Sequence, residues 1–289
     1  LVNKMTLKQY EVLKRASLFL EANNREPRFA ELLLQHHLGL SRSAFFLNMR
    51  ETIPEEVYHA FQTDLEKHVN TGIPLQHLTG YEEFYGRRFQ VNESVLIPRP
   101  ETEELVQHTI AAVYLRGNQK VRIVDVGTGS GIIAITLALE LPEADVFATD
   151  ISEAALHVAR ANAARLGADV TFFEGDFLQP LTERQLPVDI LVSNPPYIAE
   201  AERGELHDTV KNFDPDLALF AADDGLAAYK KIVKQATELI NRNGLIAFEI
   251  GHMQGEAVKQ LVEESFPDSN VEIIQDINGK DRIVLVKIC

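Results

Sequence analysis

One cysteine occurs in 289 residues, and it is the last of them, Cys289. A disulfide within the chain is thereby excluded, and a cysteine-built zinc site has no support. No apolar run approaches the roughly 20 residues a membrane helix requires, and the start of the chain lacks the three-part pattern of a secretory signal. These absences lead to the expectation of a cytoplasmic protein with no membrane attachment. The first residue is Leu1 rather than Met, which makes Met5 a candidate native start. Basic residues are few, 28 Lys and Arg against 43 Asp and Glu, for a net charge of -15. Nucleic-acid backbones are gripped by clustered Lys and Arg, so no direct nucleic-acid binding is expected. A partner that is itself basic, such as a nucleic-acid-binding protein, would be steered toward this surface. His36-His37 is no metal site by this reading, because adjacent side chains diverge on a helix and no third ligand stands nearby. A monomer is expected.

What is present is an ordinary globular composition, 45% hydrophobic and 25% charged, in a chain long enough to bury a substantial core. Residues 1–75 read as short helices, with no glycine before Gly39. Pro54 opens one helix, Val57, Phe61, Leu65 and Val69 recur along it at helical spacing as core residues, and Gly72 closes it. Residues 76–100 read as a connector in which Phe84, Phe89 and the Tyr85-Gly86-Arg87 turn form a β-hairpin. The Leu96-Ile97-Pro98-Arg99-Pro100-Glu101-Thr102-Glu103 stretch follows. Its prolines hold the chain extended, and Glu101 or Thr102 is expected to cap a helix running to about Arg116.

Over residues 101–289 the pattern alternates. Strands are predicted at 121–126, 145–149, 170–174, 188–193, 245–250, 271–277 and 283–288. Helices are predicted at 132–141, 153–166, 226–241 and 254–265. Strands separated by helices imply an α/β fold with a mainly parallel, doubly wound sheet. Asn278-Gly279-Lys280 is too short for a crossover helix, so the last of the seven strands should run antiparallel.

The first predicted strand runs into Gly127-Thr128-Gly129-Ser130-Gly131. Glycines let a backbone turn tightly and approach a ligand closely. The dinucleotide fingerprint places its third glycine at the sixth position, whereas this loop has Ile132 there and glycines at the first, third and fifth. The second strand leads to Asp150, placed to accept hydrogen bonds from both hydroxyls of a ribose, and the third to Gly175-Asp176-Phe177. Asp176 is a candidate for an adenine amine and Phe177 for covering the ring. Three successive strand ends of this kind make a nucleoside site. NAD is the competing ligand, and the altered glycine spacing and the antiparallel last strand weigh against it.

The fourth strand runs into Asn194-Pro195-Pro196-Tyr197. The prolines stiffen the turn and remove two amide donors, so carbonyls remain as the free backbone groups, and Asn194 adds a side-chain carbonyl. Two fixed acceptors can grip both hydrogens of an NH2 group, with Tyr197 over its flat face. A planar amide or aromatic amine is a poor nucleophile because its lone pair is delocalised. Gripping both N–H bonds aims the nitrogen at a sulfonium methyl and favours pyramidalisation. The alkylated nitrogen is acidic after transfer, so no dedicated general base is required.

With these motifs in view, the sequence resembles the HemK/PrmC family of protein-(glutamine-N5) methyltransferases over nearly its whole length. The resemblance rests on residues 72–80, the 96–103 segment, the glycine loop 127–131 and the 194–197 motif. It extends to Phe213-Asp214-Pro215 with Ala221 and Gly225, and to Glu249-Ile250-Gly251-His252 with Gln254-Gly255-Glu256. It implies a Rossmann-like class I methyltransferase domain over 101–289 with a small all-α N-terminal domain that docks the substrate. It also implies S-adenosylmethionine as methyl donor, with S-adenosylhomocysteine as product. The donor would be held by Gly127, Thr128, Gly129, Ser130, Gly131, Asp150, Asp176, Phe177 and Asn194. Asn194, Pro195, Pro196 and Tyr197 would bind the substrate glutamine, with Asn194, Pro195 and Tyr197 acting in catalysis. The implied partners are class I peptide chain release factors, modified on the Gly-Gly-Gln glutamine in translation termination.

Asn-Pro-Pro-Tyr is also shared with adenine-specific DNA methyltransferases, so an amino methyltransferase acting on adenine or guanine in nucleic acid is the alternative. The acidic balance and the lack of a basic target-recognition segment disfavour it. A nucleotide-sensing protein that binds the donor without turnover is disfavoured by the intact Asn194 motif.

Overall fold

A computed structural model describes residues 7–117 and 120–289; the candidate start at Met5 lies outside them. The chain divides into two compact units between Gly80 and Tyr81.

The first unit is helical: α1 Gln9–Ala22, α2 Arg28–Leu38, α3 Arg42–Leu47, α4 Glu55–Thr71 and α5 Leu75–Thr79. Its core gathers one face of each longer helix, with Val12, Ala16 and Leu20 of α1, Ala30, Leu33 and Leu34 of α2, and Phe61 and Leu65 of α4. Each of the valine, leucine and phenylalanine side chains, fully buried, contributes about 1.5–3 kcal/mol, and each alanine methyl less. Val57 and Val69 lie at the edge of that core. Pro54 is the N-cap of α4 and Gly72 its left-handed C-cap, as the sequence predicts. His37 pairs with Asp64 at 2.9 Å, and His68 stacks on Phe29 at 3.6 Å, so both imidazoles have structural work. Among the described residues no cluster of His, Cys, Asp and Glu could hold a metal ion.

The second unit opens with the hairpin β1 Tyr81–Phe84 and β2 Arg87–Gln90, then α6 Glu101–Leu115. Tyr85 and Gly86 both have positive φ, 51° and 71°, the turn whose twist suits a two-residue hairpin. Phe84 and Phe89 are buried in the core of the sheet unit beside Leu105 and Val106 of α6. The 76–100 stretch is thus shared, with α5 in the helical unit and the hairpin in the sheet unit.

Then come β3 Arg122–Val126, α7 Ile132–Glu140, β4 Asp145–Asp150, α8 Glu153–Leu166, β5 Thr171–Glu174, α9 Gln179–Glu183 and β6 Val188–Ser193. Short elements follow, β7 Ile198–Ala199, a 3-10 turn at Glu200–Gly204, α10 Asp208–Lys211, α11 Asp216–Leu219 and β8 Phe220–Ala221. The unit closes with α12 Ala227–Ala236, β9 Ile240–Glu249, α13 Gly255–Ser265, β10 Asn270–Gln275 and β11 Asp281–Lys287. The seven-stranded sheet has the order β10-β11-β9-β6-β3-β4-β5. The five strands β3, β4, β5, β6 and β9 pair in parallel, and β11 is antiparallel to both of its neighbours. The predicted α/β sheet with its antiparallel last strand is therefore observed. The two faces of the sheet carry separate apolar clusters, with α7 among the helices over one and α12 and α13 over the other.

Two sequence expectations are corrected. The helix expected over 226–241 ends at Ala236, because Leu239 and Ile240 are already drawn into pairing with Val188. Neither Glu101 nor Thr102 caps α6: Pro100 is the N-cap, with no side-chain cap bond, and the Thr102 hydroxyl is turned to another task. No described helix is long and apolar enough to cross a membrane.

Candidate active site

Strand order reverses at β3, with β4 and β5 on one side and β6 and β9 on the other. In open parallel sheets the crevice beyond the carboxyl ends of the strands at such a switch point is where ligands bind. The two motifs singled out in the sequence follow the two strands that meet there. The glycine loop leaves β3 and Asn194 leaves β6, and Asp125 of β3 pairs in register with Val192 of β6.

The glycine loop is fastened from below and from the side. Both Gly127 N–H and Thr128 N–H donate to the Thr149 carbonyl of β4 at 2.9 Å. Asp125, fully buried, accepts through Oδ2 from the Thr128 hydroxyl at 2.6 Å and from Ala134 N–H at 3.1 Å, while its Oδ1 has no partner. Burial is the main cause that pushes the Asp125 carboxyl up to about 7, against the pull of those two hydrogen bonds. Asp150 accepts from Gly129 N–H and from Ser152 N–H, each at 2.9 Å. Burial raises its carboxyl above the ordinary range, opposed by these backbone donors. It therefore orders the loop as well as facing the cavity, which its sequence position alone does not reveal.

The glycines have different reasons to be glycine. All three have positive φ, 74° at Gly127, 55° at Gly129 and 85° at Gly131. A Cβ at Gly127 or Gly129 would meet nothing within 4 Å, whereas at Gly131 it would lie 2.7 Å from Ile135 Cδ1 and 3.1 Å from Ala159 Cβ. The first two keep ligand space open; the third lets α7 and α8 pack.

Beyond β5, Asp176 and Phe177 line the same cavity. Lys231 of α12 pairs with Asp176 Oδ2, and its ammonium stands 5.8 Å from the Phe177 ring centroid. Phe177 has φ 53°, held by the next residue, whose N–H donates to Gln235 Oε1 at 2.8 Å.

Asn194 is oriented by residues to which the sequence reading gave no role in the site. Its Nδ2 donates to Thr102 Oγ1 at 3.3 Å, and the Thr102 hydroxyl donates to Glu249 Oε2 at 2.6 Å. Register explains the meeting: β6 and β9 are parallel with Ser193 beside Phe248, so Asn194 and Glu249 leave adjacent strands at the same level. Burial, opposed first by the Thr102 hydrogen bond, raises the Glu249 carboxyl to about 7. The far end of the motif is also tied. The Tyr197 carbonyl accepts from Gln254 Nε2 at 2.9 Å, and Gly225 lies so close that a Cβ there would fall 2.1 Å from that oxygen. Burial, then the nearby Glu249, pushes the Tyr197 phenol up to about 12, so it stays protonated at neutral pH.

The Leu96–Arg99 strap forms another wall. Buried Asp214 accepts from Ile97 N–H at 3.1 Å and from Arg99 Nη2 at 2.7 Å, which joins the strap to the segment carrying Pro215. Glu103 accepts from Tyr85 N–H at 2.7 Å and so serves the hairpin. Together these walls enclose a cavity of about 390 Å3 lined by Gly127, Gly129, Asp150, Asp176, Phe177 and Asn194 among others. Of the residues the sequence singles out, Gly131, Pro195 and Tyr197 are not part of this lining. Thr102, Lys231, Asp214, Glu249 and Gln254 were missed as site residues. All but Lys231 belong to segments that the resemblance had marked, 96–103, 213–215 and 249–256, but nothing local gave them a role in the site.

Comparison with known proteins agrees with this architecture. The PrmC N-terminal domain family matches residues 11–80, and the Methyltransferase small domain family matches residues 104–213. The chain is similar to the Release factor glutamine methyltransferase of Bacillus cereus, 45% identical over 282 residues, covering 97% of this chain and 99% of that protein. A protein of the same description from Bacillus subtilis is 45% identical over 277 residues, covering 95% and 96% of the two chains. Among solved structures, a methyltransferase from Pyrococcus furiosus superposes with a TM-score of 0.51 at 19% identity, over 71% of this chain and 89% of the other. The Thermus thermophilus 16S rRNA N2 G1207 methyltransferase, in complex with AdoMet and guanosine, gives 0.51 at 15% identity, over 72% and 50%. These two likenesses speak to the fold.

S-adenosylmethionine is the methyl donor, and the residues present fit it. The cavity volume lies in the range of small-molecule sites, Gly127 and Gly129 leave open space beside the loop, and Asp150 keeps acceptor capacity beyond its backbone bonds. With two relatives at 45% identity that match it almost end to end, the chain belongs to the release factor glutamine methyltransferase family.

Proposed function

We propose that this enzyme methylates the side-chain amide nitrogen, N5, of the glutamine in the Gly-Gly-Gln loop of class I peptide chain release factors. The observation that carries the reading is the placement of Asn194 and the glycine loop on adjacent strand ends around one cavity. The relatives' description supplies the substrate class.

When bound, S-adenosylmethionine supplies a methyl group on a positively charged sulfur. The chain's own work is to present the nitrogen. The Asn194 amide carbonyl and a carbonyl of the proline pair accept the two N–H bonds of the glutamine amide, since Pro195 and Pro196 carry no backbone donor. That grip fixes direction and favours pyramidal nitrogen as charge develops there. Protonated Tyr197 covers the flat face of the amide. The proton lost from nitrogen passes to water. Gly127, Thr128, Gly129, Ser130, Gly131, Asp150, Asp176, Phe177 and Asn194 hold the donor, with Gly131 acting through helix packing. The glycines flanking the substrate glutamine suit a narrow entry, and the helical N-terminal unit docks a second part of the factor. That unit exposes Leu18, Phe19, Phe46 and Leu47.

The test offers purified release factor, a release factor with the loop glutamine changed to alanine, DNA and RNA in parallel with labelled donor. Label is expected in the unmodified factor alone. Label in nucleic acid, or retained in the alanine factor, would overturn the substrate. Asn194→Ala should abolish transfer and weaken donor binding less; full activity in that variant would remove the amide grip.

A further inference from the structure

The side chain of Asn194 can present either its oxygen or its NH2 group to the cavity, and only one of these accepts a substrate N–H. What decides between them lies outside the Asn-Pro-Pro-Tyr motif. Glu249 is 2% exposed and Thr102 is 1% exposed. An ionised carboxylate only accepts hydrogen bonds, so the Thr102 hydroxyl must spend its single hydrogen on Glu249 Oε2, 2.6 Å away. Thr102 Oγ1 is then an acceptor toward Asn194, and Nδ2 fills it at 3.3 Å. We infer that Glu249 is a positioning residue which, through the Thr102 hydroxyl and by its own hydrogen bond from the Asn194 amide, sets that amide with Nδ2 inward and Oδ1 as the acceptor left for substrate. This deepens the proposed function and rests on that reading for its substrate.

The relay has a direction that reverses on protonation. A neutral Glu249 can donate to Thr102 Oγ1, which frees the threonine hydrogen to point at Asn194 and favours Oδ1 turning inward. The NH2 group would then face the substrate amide, two donors against donors. The groups that face Glu249 come from four places. Thr102 and Glu101 stand at the start of α6, Asn194 and Tyr197 in the loop after β6, Arg282 on β11, and Tyr229 of α12 donates to the Glu249 backbone carbonyl at 2.7 Å. Burial and Glu101 favour the neutral acid, whereas Thr102, Arg282 and Asn194 favour the carboxylate, and the balance places the Glu249 carboxyl at about 7. Turnover should therefore rise with pH through this region and level off above it.

The experiment compares the full-length enzyme with Thr102→Val, Thr102→Ser and Glu249→Gln. Single-turnover rates on release factor are followed across pH, with donor affinity by calorimetry as a check on the folded site. Thr102→Val should lower the rate constant by about tenfold or more while the KM for the factor changes far less, the mark of an interaction used in the transition state. Thr102→Ser, which keeps the hydroxyl, should recover most of that loss. Glu249→Gln should remove the acid limb of the parental profile. Parental rates in Thr102→Val, or an unchanged acid limb in Glu249→Gln, would overturn the relay. A second arm needs no substrate and no variant of doubtful folding. The side-chain amide signals of Asn194 in 15N-labelled parent enzyme, assigned through Asn194→Ala, should shift with pH as Glu249 ionises. Signals that stay fixed across that range would also overturn the relay. A parent that modifies no release factor yet shows the pH-dependent Asn194 shift would fail the substrate reading and keep the relay.

Discussion

The Ser193 hydroxyl donates to the backbone carbonyl of Val126 at 2.6 Å, a buried bond between the last residues of two adjacent strands. One residue further along each strand lie Gly127 and Asn194, the starts of the glycine loop and of the Asn-Pro-Pro-Tyr turn. The bond therefore ties together the starts of the two motifs that flank the cavity, at the point where the sheet order reverses. A serine at the end of a hydrophobic strand looks like fraying polarity in the sequence, yet here it is fully buried and bonded across the sheet.

Ser193→Ala should lower unfolding stability by about 1 kcal/mol, the net worth of a typical intramolecular hydrogen bond. Urea denaturation checks this. No change in the midpoint would mean that the strand ends are held by the sheet ladder alone.

Gly127→Ala and Gly131→Ala should separate in effect. Both place a side chain at positive φ, which costs about 1–2 kcal/mol. The first otherwise projects a methyl into open space beside the loop and should weaken donor binding by about tenfold or more, the scale of losing well-placed ligand contacts. The second drives a methyl against Ile135 and Ala159 and should cost about 1–3 kcal/mol more in stability from overpacking. Calorimetric titration and thermal melts of both variants read the two effects, and identical behaviour would erase the distinction.

Gly225→Ala should impair turnover more than donor binding. Its φ is 83°, and the added Cβ would fall 2.1 Å from the Tyr197 carbonyl and 2.6 Å from Gln254 Nε2. Relief of that clash moves the tail of the Asn-Pro-Pro-Tyr turn, and misplacement of about 1 Å in a positioning element can cost on the order of a hundredfold in rate. Steady-state kinetics beside donor titration check it; a parental rate would show that the turn tolerates displacement.

Asp125 and Glu249 should make stability fall as pH rises through the weakly acid range. Both carboxyls are raised by burial to about 7 in the folded protein, from ordinary values of 3.8 and 4.5. Between those limits the folded state holds more protons than the unfolded chain, so the slope of unfolding free energy with pH is negative there. The stabilisation is complete below the unfolded values and lost as pH passes the folded ones. Urea unfolding from pH 4.5 to 8 should show this decline, and Glu249→Gln should flatten it. An equal slope in that variant would place the pH dependence elsewhere.

Much of the fold was legible because it is written in local pattern. The strand-loop-helix punctuation of 121–141, the Pro54 and Gly72 boundaries of α4 and the tight Asn278-Gly279-Lys280 return each depend on residues within a few positions of one another. The helix predicted at 153–166 has the observed bounds, with Ser152 accepting from Ala155 N–H as its cap. The prediction over 226–241 ran too long because apolar Leu239 and Ile240 continue a helical stripe, and only pairing with β6 turns them into strand.

By itself the sequence determined the chemical vocabulary. A glycine loop with open φ, an acid on the next strand and an Asn-Pro-Pro-Tyr turn are short-range properties, because conformational freedom and donor count belong to each residue. Only the tertiary structure decided which residues support them. Thr102 reaches Asn194 across 92 positions and Glu249 across 147, and Asp214 reaches Arg99 across 115. Those meetings depend on which strand lies beside which and in what register, and hydrogen bonds act only over about 3 Å, so no local pattern could announce them. The stiff, donor-poor turn is a property of the motif; the partners that orient Asn194 are a property of the fold.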